Sequence, residues 1–386
     1  MFGVKSRNIP VIFVTDVTSG LLFFLPILAL YFQEHLFSVA NVALIFAVSA
    51  ISLAVFEFPT GAISDLFGRR NTIVLAHCSQ FLAVLSLLGT SLVWFILYAV
   101  LNALARALCS GTDSAIIYDT LKAERKEKKY KKIVGIHYAL WPLGATIGSI
   151  VGGHLAAVSL SLTILASLVP VAVSLLLNFL FLEEPKYEKE GHRNVLRHMR
   201  ECAGIIVRNR QLMILCVAGG FLMWGLGETV HHLAPLFFAF KEIPLVYFGY
   251  LSAVSFGFSS LGHYMSHDVS AWLGDKTTTV LTALATPVLL LLATFTAKFT
   301  SMLFFLLPSL SFGLRNPVVN HLLNLEVGSS KRATVLSAFS LSGELGLAIF
   351  APFIGWYADL YTINTAFKLC GLLFFVVPVA FLFLKR

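Results

Sequence analysis

Residues 61–75 read GAISDLFGRRNTIVL. Gly61, Asp65, Gly68 and the basic pair Arg69 and Arg70 stand between two long apolar runs, 38–60 and 71–91. Each run has close to the about 20 apolar residues that a helix needs to cross a hydrocarbon core of roughly 30 Å. The stretch therefore reads as a short polar turn joining two membrane helices. Its glycines permit a tight turn. Asp65 is placed to accept from the amides at the start of the next helix, and the arginines to pair with a nearby carboxylate. Asp119, at the corresponding end of a later span, is the expected partner.

The rest of the chain extends this reading. Of 386 residues, 58% are hydrophobic and 12% charged, and mean hydropathy is +0.84. Soluble domains run near 45–50% apolar and about 25% charged, so the solvent for most of this chain is lipid. Twelve spans follow, at 9–33, 38–60, 71–91, 92–118, 133–157, 160–182, 211–239, 244–266, 277–297, 300–324, 333–358 and 364–383. The expected architecture is an all-α integral membrane protein with two pseudo-symmetric six-helix bundles, 1–182 and 211–386. Between them, 183–210 forms a polar linker. Val195, Met199, Cys202 and Ile206 fall there at helical spacing among Arg193, Arg197, Arg200 and Arg208. That pattern suggests a basic amphipathic helix on the inner surface, the alternative being a solvated linker.

With the N-terminus inside, 23 Lys and Arg fall on the cytoplasmic side and 3 on the other; only Arg106 and Arg315 lie within spans. That is positive-inside topology, with both termini cytoplasmic; the membrane expected is the plasma (inner) membrane. The topology also accounts for the net charge of +8 without nucleic acid. The five cysteines have no metal or redox spacing, so neither a metal nor another cofactor is expected. The first apolar run is too long for a signal peptide and reads as an uncleaved helix.

The two halves share an order of matches. GRRNTIVL (68–75) aligns with GDKTTTVL (274–281), and SGTDSAIIYD (110–119) with FGLRNPVVNH (312–321). Gly144 then meets Gly346, Gly153 meets Gly355, and Asp113 meets Arg315. Paired halves of this kind build many secondary transporters.

Gly61, Asp65, Gly68, Arg69 and Arg70 resemble the loop signature G-x-x-x-D-[RK]-x-G-[RK]-[RK] of the major facilitator superfamily, with Leu66 where that family prefers a basic residue. In the fifth span, Gly135, Gly144, Gly148, Gly152 and Gly153 resemble the superfamily's antiporter pattern G-x8-G-x3-G-P-x2-G-G, with Ser149 in place of proline. Three of these recur every four residues and offer one smooth helix face. ARALCSGTDSA (105–115) resembles the fourth-helix arginine motif, its glycine displaced by one position from Arg106. The resemblance is to the twelve-helix drug–proton antiporter branch. It implies a central cavity lined by spans 1, 4, 7 and 10.

Ionisable groups deep in a span cost about 2.5–3.5 kcal/mol each on insertion scales and usually face a cavity or a partner. Asp16, Asp113, Glu228 and Glu344 are such groups, against Arg106 and Arg315. Burial and like charge favour a neutral carboxyl, and a carboxyl that changes protonation is what proton coupling needs. Asp16, Glu228 and Asp113 are the proton candidates, in that order. Asn102, Arg106, Arg315 and Asn316 are the cavity and substrate candidates. Asn102, Arg106 and Asp113 lie on one helical stripe, since offsets of four and seven return to the same face. Asp113 and Arg315 are placed to pair. His231 and His232, on the face of Glu228, serve as relays or as structural hydrogen-bond partners. Glu57 reads as interfacial.

The expectation is a proton-coupled exporter of small amphipathic compounds, working as a monomer by alternating access. An importer or facilitator on the same fold is the alternative, and a non-transporting receptor or membrane enzyme a remote one. Neither H-E-x-x-H nor G-x-x-x-x-G-K-[ST] occurs, which argues against a metalloenzyme and a nucleotide-driven pump.

Overall fold

The computed structural model describes residues 6–185, 204, 206–328 and 331–385, without the side chains of 58–66, 333 and 334. Every regular element among the described residues is helical. That is what lipid demands, since a helix pairs its own backbone groups where no water can. Eleven of the helices are long and apolar enough to cross a membrane. The third expected span is present as α4 (Arg69–Ser86). It falls short of the other eleven because Arg69, Arg70, Asn71, His77 and Gln80 dilute its apolar content.

The first half-chain runs α1 (Asn8–Gly20), α2 (Leu28–Leu36), α3 (Val39–Phe67), α4, α5 (Leu92–Cys109), α6 (Thr112–Ala123), α7 (Tyr130–Val158) and α8 (Leu160–Phe181). The second runs α9 (Arg210–Ile214), a π-helix over Leu215–Trp224, α10 (Gly225–Phe240), α11 (Leu245–Leu273), α12 (Asp275–Phe295), α13 (Lys298–Leu325), α14 (Arg332–Leu360), α15 (Ile363–Phe374) and α16 (Val376–Phe381). The expected linker helix lies outside the described residues, apart from Gly204, Ile206, Val207 and Arg208.

Three spans are wound differently from their sequence expectation. The first is interrupted between α1 and a 3-10 turn at Leu25–Ile27. The fourth breaks at Ser110–Gly111, where Gly111 takes φ +78° and is followed by α6. Asp113 therefore begins a new helix and does not continue the stripe of Asn102 and Arg106. The seventh widens into the π-helix, where Ser342 Oγ lies 3.0 Å from the Cys216 carbonyl.

The chain forms two compact units. One comprises Met1–Tyr31, Ser52–Arg193 and Leu245–Tyr250. Its apolar core joins Ile9, Ile12 and Phe13 of α1 to Ile73, Ile116, Ile117 and Ile133. Here α7 lies against the broken part of the first span. A methyl group on Gly144 would run into the Val17 carbonyl, and one on Gly152 into the Phe23 carbonyl; one on Gly148 would sit 3.0 Å from Leu22 N. Gly153 faces the other way, toward Val246 and Gly249. Gly135 has nothing within 4 Å of where its Cβ would be, so it takes no part in the close packing expected of its motif.

The other unit comprises Phe32–Ile51, Asn194–Pro244 and Leu251–Arg386. Gly346 packs on the Phe221 carbonyl and on Gly225, while Gly355 packs on Val39, Ala40 and Ala43. Thus Gly346 meets the seventh span as Gly144 meets the first, and Gly355 meets the second as Gly153 meets the eighth. These contacts follow the repeat read from the sequence. At the N-terminus of α3, the Asp359 carboxylate accepts from Ser38 Oγ (2.7 Å), Val39 N (2.7 Å) and Ala40 N (3.0 Å).

Candidate functional site

The polar turn comes first, because it ties four elements. The turn itself is made at Gly68, with φ +90° and ψ 155°, a region that disfavours any side chain. Gly61 and Asp65 lie inside α3, which runs on to Phe67, so Gly61 makes no turn. The amides opening α4 are also taken by a different carboxylate. Glu184 accepts from Arg69 N and Arg70 N, each at 2.8 Å; the side chain of Asp65, expected to accept here, lies outside the described residues. The expected pairing of Arg69 with Asp119 is present, Nε to Oδ2 at 3.1 Å. Arg70 donates to the carbonyls of Leu182 and Phe179 at 2.7 Å each, closing the C-terminus of α8. Beside them the buried Asn8 bonds Thr120 Oγ1 and both backbone groups of Glu183.

The second half carries a counterpart with its charge reversed. Gly274 takes φ +83° and ψ 152° before α12. Asp275 stands where Arg69 stands in the first half, and His321 where Asp119 stands. Their side chains are 3.6 Å apart. On the same side of this unit, Asn209 caps α9 through Gln211 N and Leu212 N and donates to Glu326 at 2.9 Å.

Two further clusters hold the ionisable groups within spans. In the first unit, Asp16 Oδ2 lies 2.7 Å from His137 Nδ1, their side chains 13% and 8% exposed. Asp113, at the first turn of α6, interacts electrostatically with both and sits against the Cys109 thiol. Asp16 of α1 and His137 of α7 thus meet, with Asp113 of α6 near enough to feel both charges. Sequence reasoning found the two acids and not His137. A histidine within an apolar span, two residues after Gly135, was the available signal. Within their own units, Asp113 interacts with this cluster and Arg315 donates to the Thr282 carbonyl at 3.3 Å. Arg106 is exposed on α5, with Asn102 half-buried one turn before it. Glu57, exposed on α3, is attracted to Arg106.

In the second unit a cavity of about 300 Å³ opens among α10–α13, the π-helix and α14. Glu228, His231, Arg315 and Asn316 all line it, which brings together three of the expected site residues. Trp224, Phe312 and Phe339 form its aromatic wall, with Trp224 edge-on to Phe312 at 6.4 Å and to Phe339 at 6.0 Å. Ser255 and Ser309, hydrogen-bonded at 2.6 Å, and Asn316, 3.4 Å from His263, supply polar groups. Glu228 faces His232 at 3.7 Å, and His232 stacks on Phe46 with centroids 4.3 Å apart. Glu344 is half-buried in α14. No group of metal-binding side chains occurs among the described residues.

Solved structures share the fold. The nucleoside transporter NupG superposes with a TM-score of 0.81 at 15% identity, over 98% of this chain and 99% of that one. A D-xylose–proton symporter superposes at 0.74 and 15% identity, over 98% of each chain. An uncharacterized MFS-type transporter of Methanocaldococcus jannaschii is 28% identical over 156 residues, 40% of each chain. The chain's match thus spans less than half the length of that relative. The sequence profile of the Major Facilitator Superfamily matches residues 10–349. Built of apolar helices long enough to cross a bilayer and matched by that profile over most of its length, the chain belongs to the Major Facilitator Superfamily and is a membrane transporter of that type.

Proposed function

We propose that this transporter exports small amphipathic compounds in exchange for protons, as a monomer in the plasma (inner) membrane with both termini cytoplasmic. The single observation that carries the reading is the 2.7 Å contact of Asp16 with His137, with Asp113 beside it. A carboxylate and an imidazole in contact hold one proton between them and accept a second on the neighbouring acid. Such a site charges and discharges without moving far, which is what alternating access needs. The order of candidates becomes Asp16, then Asp113, ahead of Glu228. Glu228 is more exposed, and its partner among the described residues is His232, at 3.7 Å. The charged turn at Gly68 and the reversed one at Gly274 serve as conformational ties outside the cavity.

Accumulation of an externally added compound panel by everted vesicles, with and without a proton gradient, tests this. Asp16→Asn is expected to lose gradient-driven transport at least tenfold and to keep downhill movement, because asparagine retains the hydrogen bonds but releases no proton. Wild-type gradient-driven rates in both Asp16→Asn and Asp113→Asn would remove these residues from coupling. A second reading is uptake of a polar solute. The hydroxyl and amide groups of Ser255, Ser309 and Asn316 in the cavity favour it, and solved structures of similar fold bear the names nucleoside transporter and D-xylose–proton symporter. Accumulation in right-side-out vesicles and none in everted ones would select it.

A further inference from the structure

Arg315 is 8% exposed and lines the cavity of the second unit. Its guanidinium carries five donors in a planar fork. Among the described residues it makes one hydrogen bond, Nη1 to the Thr282 carbonyl at 3.3 Å. No described carboxylate lies within ion-pair distance of it. Glu228, the acid on the same cavity wall, faces His232. A guanidinium does not escape burial by losing its proton, and an unpaired buried charge costs several kcal/mol. A packing role would be met by leucine or methionine at no such cost. The fold keeps a permanent cation here, aimed at empty space and short of acceptors.

We propose that this cavity binds a small organic monoanion: a carboxylate on an aromatic or apolar body, with Arg315 gripping the carboxylate through two N–H groups. The proposal rests on the reading of the cavity as the solute site of a transporter. The fork matches a carboxylate edge bidentately. The remaining walls suit the body: Trp224, Phe312 and Phe339 present ring edges and faces, and Ser255 and Ser309 offer hydroxyls at its rim. One charge on the ligand is the right number. The ionisable groups on the cavity are Glu228, His231 and Arg315, a set with one permanent cation and one acid, which repels a second negative charge. A volume near 300 Å³ lies at the lower end for ligand pockets and suits a body of one or two rings.

The shared chemistry has two sources, a soluble aromatic acid or a fatty acid from the bilayer, and the test separates them. Calorimetric binding is measured on the purified full chain in detergent. The probes are benzoate, 1-naphthoate and indole-3-acetate, each against its neutral amide, with palmitate as the lipid arm. At least one aromatic acid is expected to bind tenfold or more tightly than its amide. Arg315→Gln is expected to erase that preference, and Arg315→Lys to restore part of it. The Arg315→Gln protein must elute as a single species and melt near the wild type; if it does not, the acid-against-amide preference of the wild type and of Arg315→Lys decides the matter. Equal binding of acid and amide across all three pairs, or no binding by any of them, overturns the proposal. So does palmitate binding more tightly than every aromatic acid. Because the readout is equilibrium binding without a gradient, it stands or falls apart from proton-driven transport in vesicles.

Discussion

The residues that close the polar turn show how little sequence distance predicts a partner. Arg69 finds Asp119, as expected from two opposite charges at one end of neighbouring spans. The amides of Arg69 and Arg70 find Glu184, an acid just beyond α8 and far from them in the chain, because α8 packs against α4. His137 was illegible for another reason. Counted as neutral, it does not register among the charges of a span, and its meaning arises only when α7 brings it to Asp16. At this scale the tie between Arg69 and Asp119 makes a clear prediction. Arg69→Asp or Asp119→Arg alone places like charges 3.1 Å apart where the native pair sits. Each is expected to slow transport at least fivefold. The double exchange should recover to within twofold, because the second half already runs the same positions with acid first, Asp275 facing His321. Reconstituted transport rates in a double-mutant cycle check it, and additive losses would show that the pair is not a pair.

The helices themselves were legible in number and order, because hydropathy and length fix both. Their winding was not. Leu21–Phe24 is as apolar as its neighbours, so no hydropathy window sees the interruption there. Ser110–Gly111 left a visible mark in the sequence, small residues before Thr112 and Asp113, and it is where the fourth span breaks. The glycine pattern of the fifth span was legible as a smooth face, and its use is now explicit: Gly144, Gly148 and Gly152 admit the backbone of residues 17–23. The same motif contains its own control. Gly152→Ala puts a methyl group on the Phe23 carbonyl and is expected to lower the detergent melting temperature markedly or to prevent folding. Gly135→Ala meets nothing within 4 Å and should change stability by no more than about 1 kcal/mol, in the stabilising direction that helix propensity gives. Equal melting temperatures for the two variants would separate the stripe from the packing of the first span.

The repeat was legible across the whole molecule, and the twin glycines make it concrete. Gly68 and Gly274 share a backbone conformation within a few degrees, φ +90° against +83° and ψ 155° against 152°, although the charges they introduce have opposite sign. What the chain order did not reveal is that each compact unit borrows from the other half of the sequence. Residues 32–51 join the second unit and 245–250 the first, through the close approaches at Gly355 and Gly153. The ends of the linker are meanwhile fastened locally: Glu183 and Glu184 to Asn8, Arg69 and Arg70, and Asn209 to Gln211, Leu212 and Glu326. Severing the chain near Glu190 should therefore leave both anchor points whole. Fragments 1–190 and 191–386, co-expressed, are expected to co-purify and to transport, and accumulation of both without activity would count against it. The linker then acts as a leash. A covalent connection sets how often two partners meet, and cutting it replaces an intramolecular encounter by whatever density the two pieces reach in the plane of the membrane. Activity of the severed protein should rise with expression level, as a second-order encounter does, while that of the intact chain per molecule stays flat.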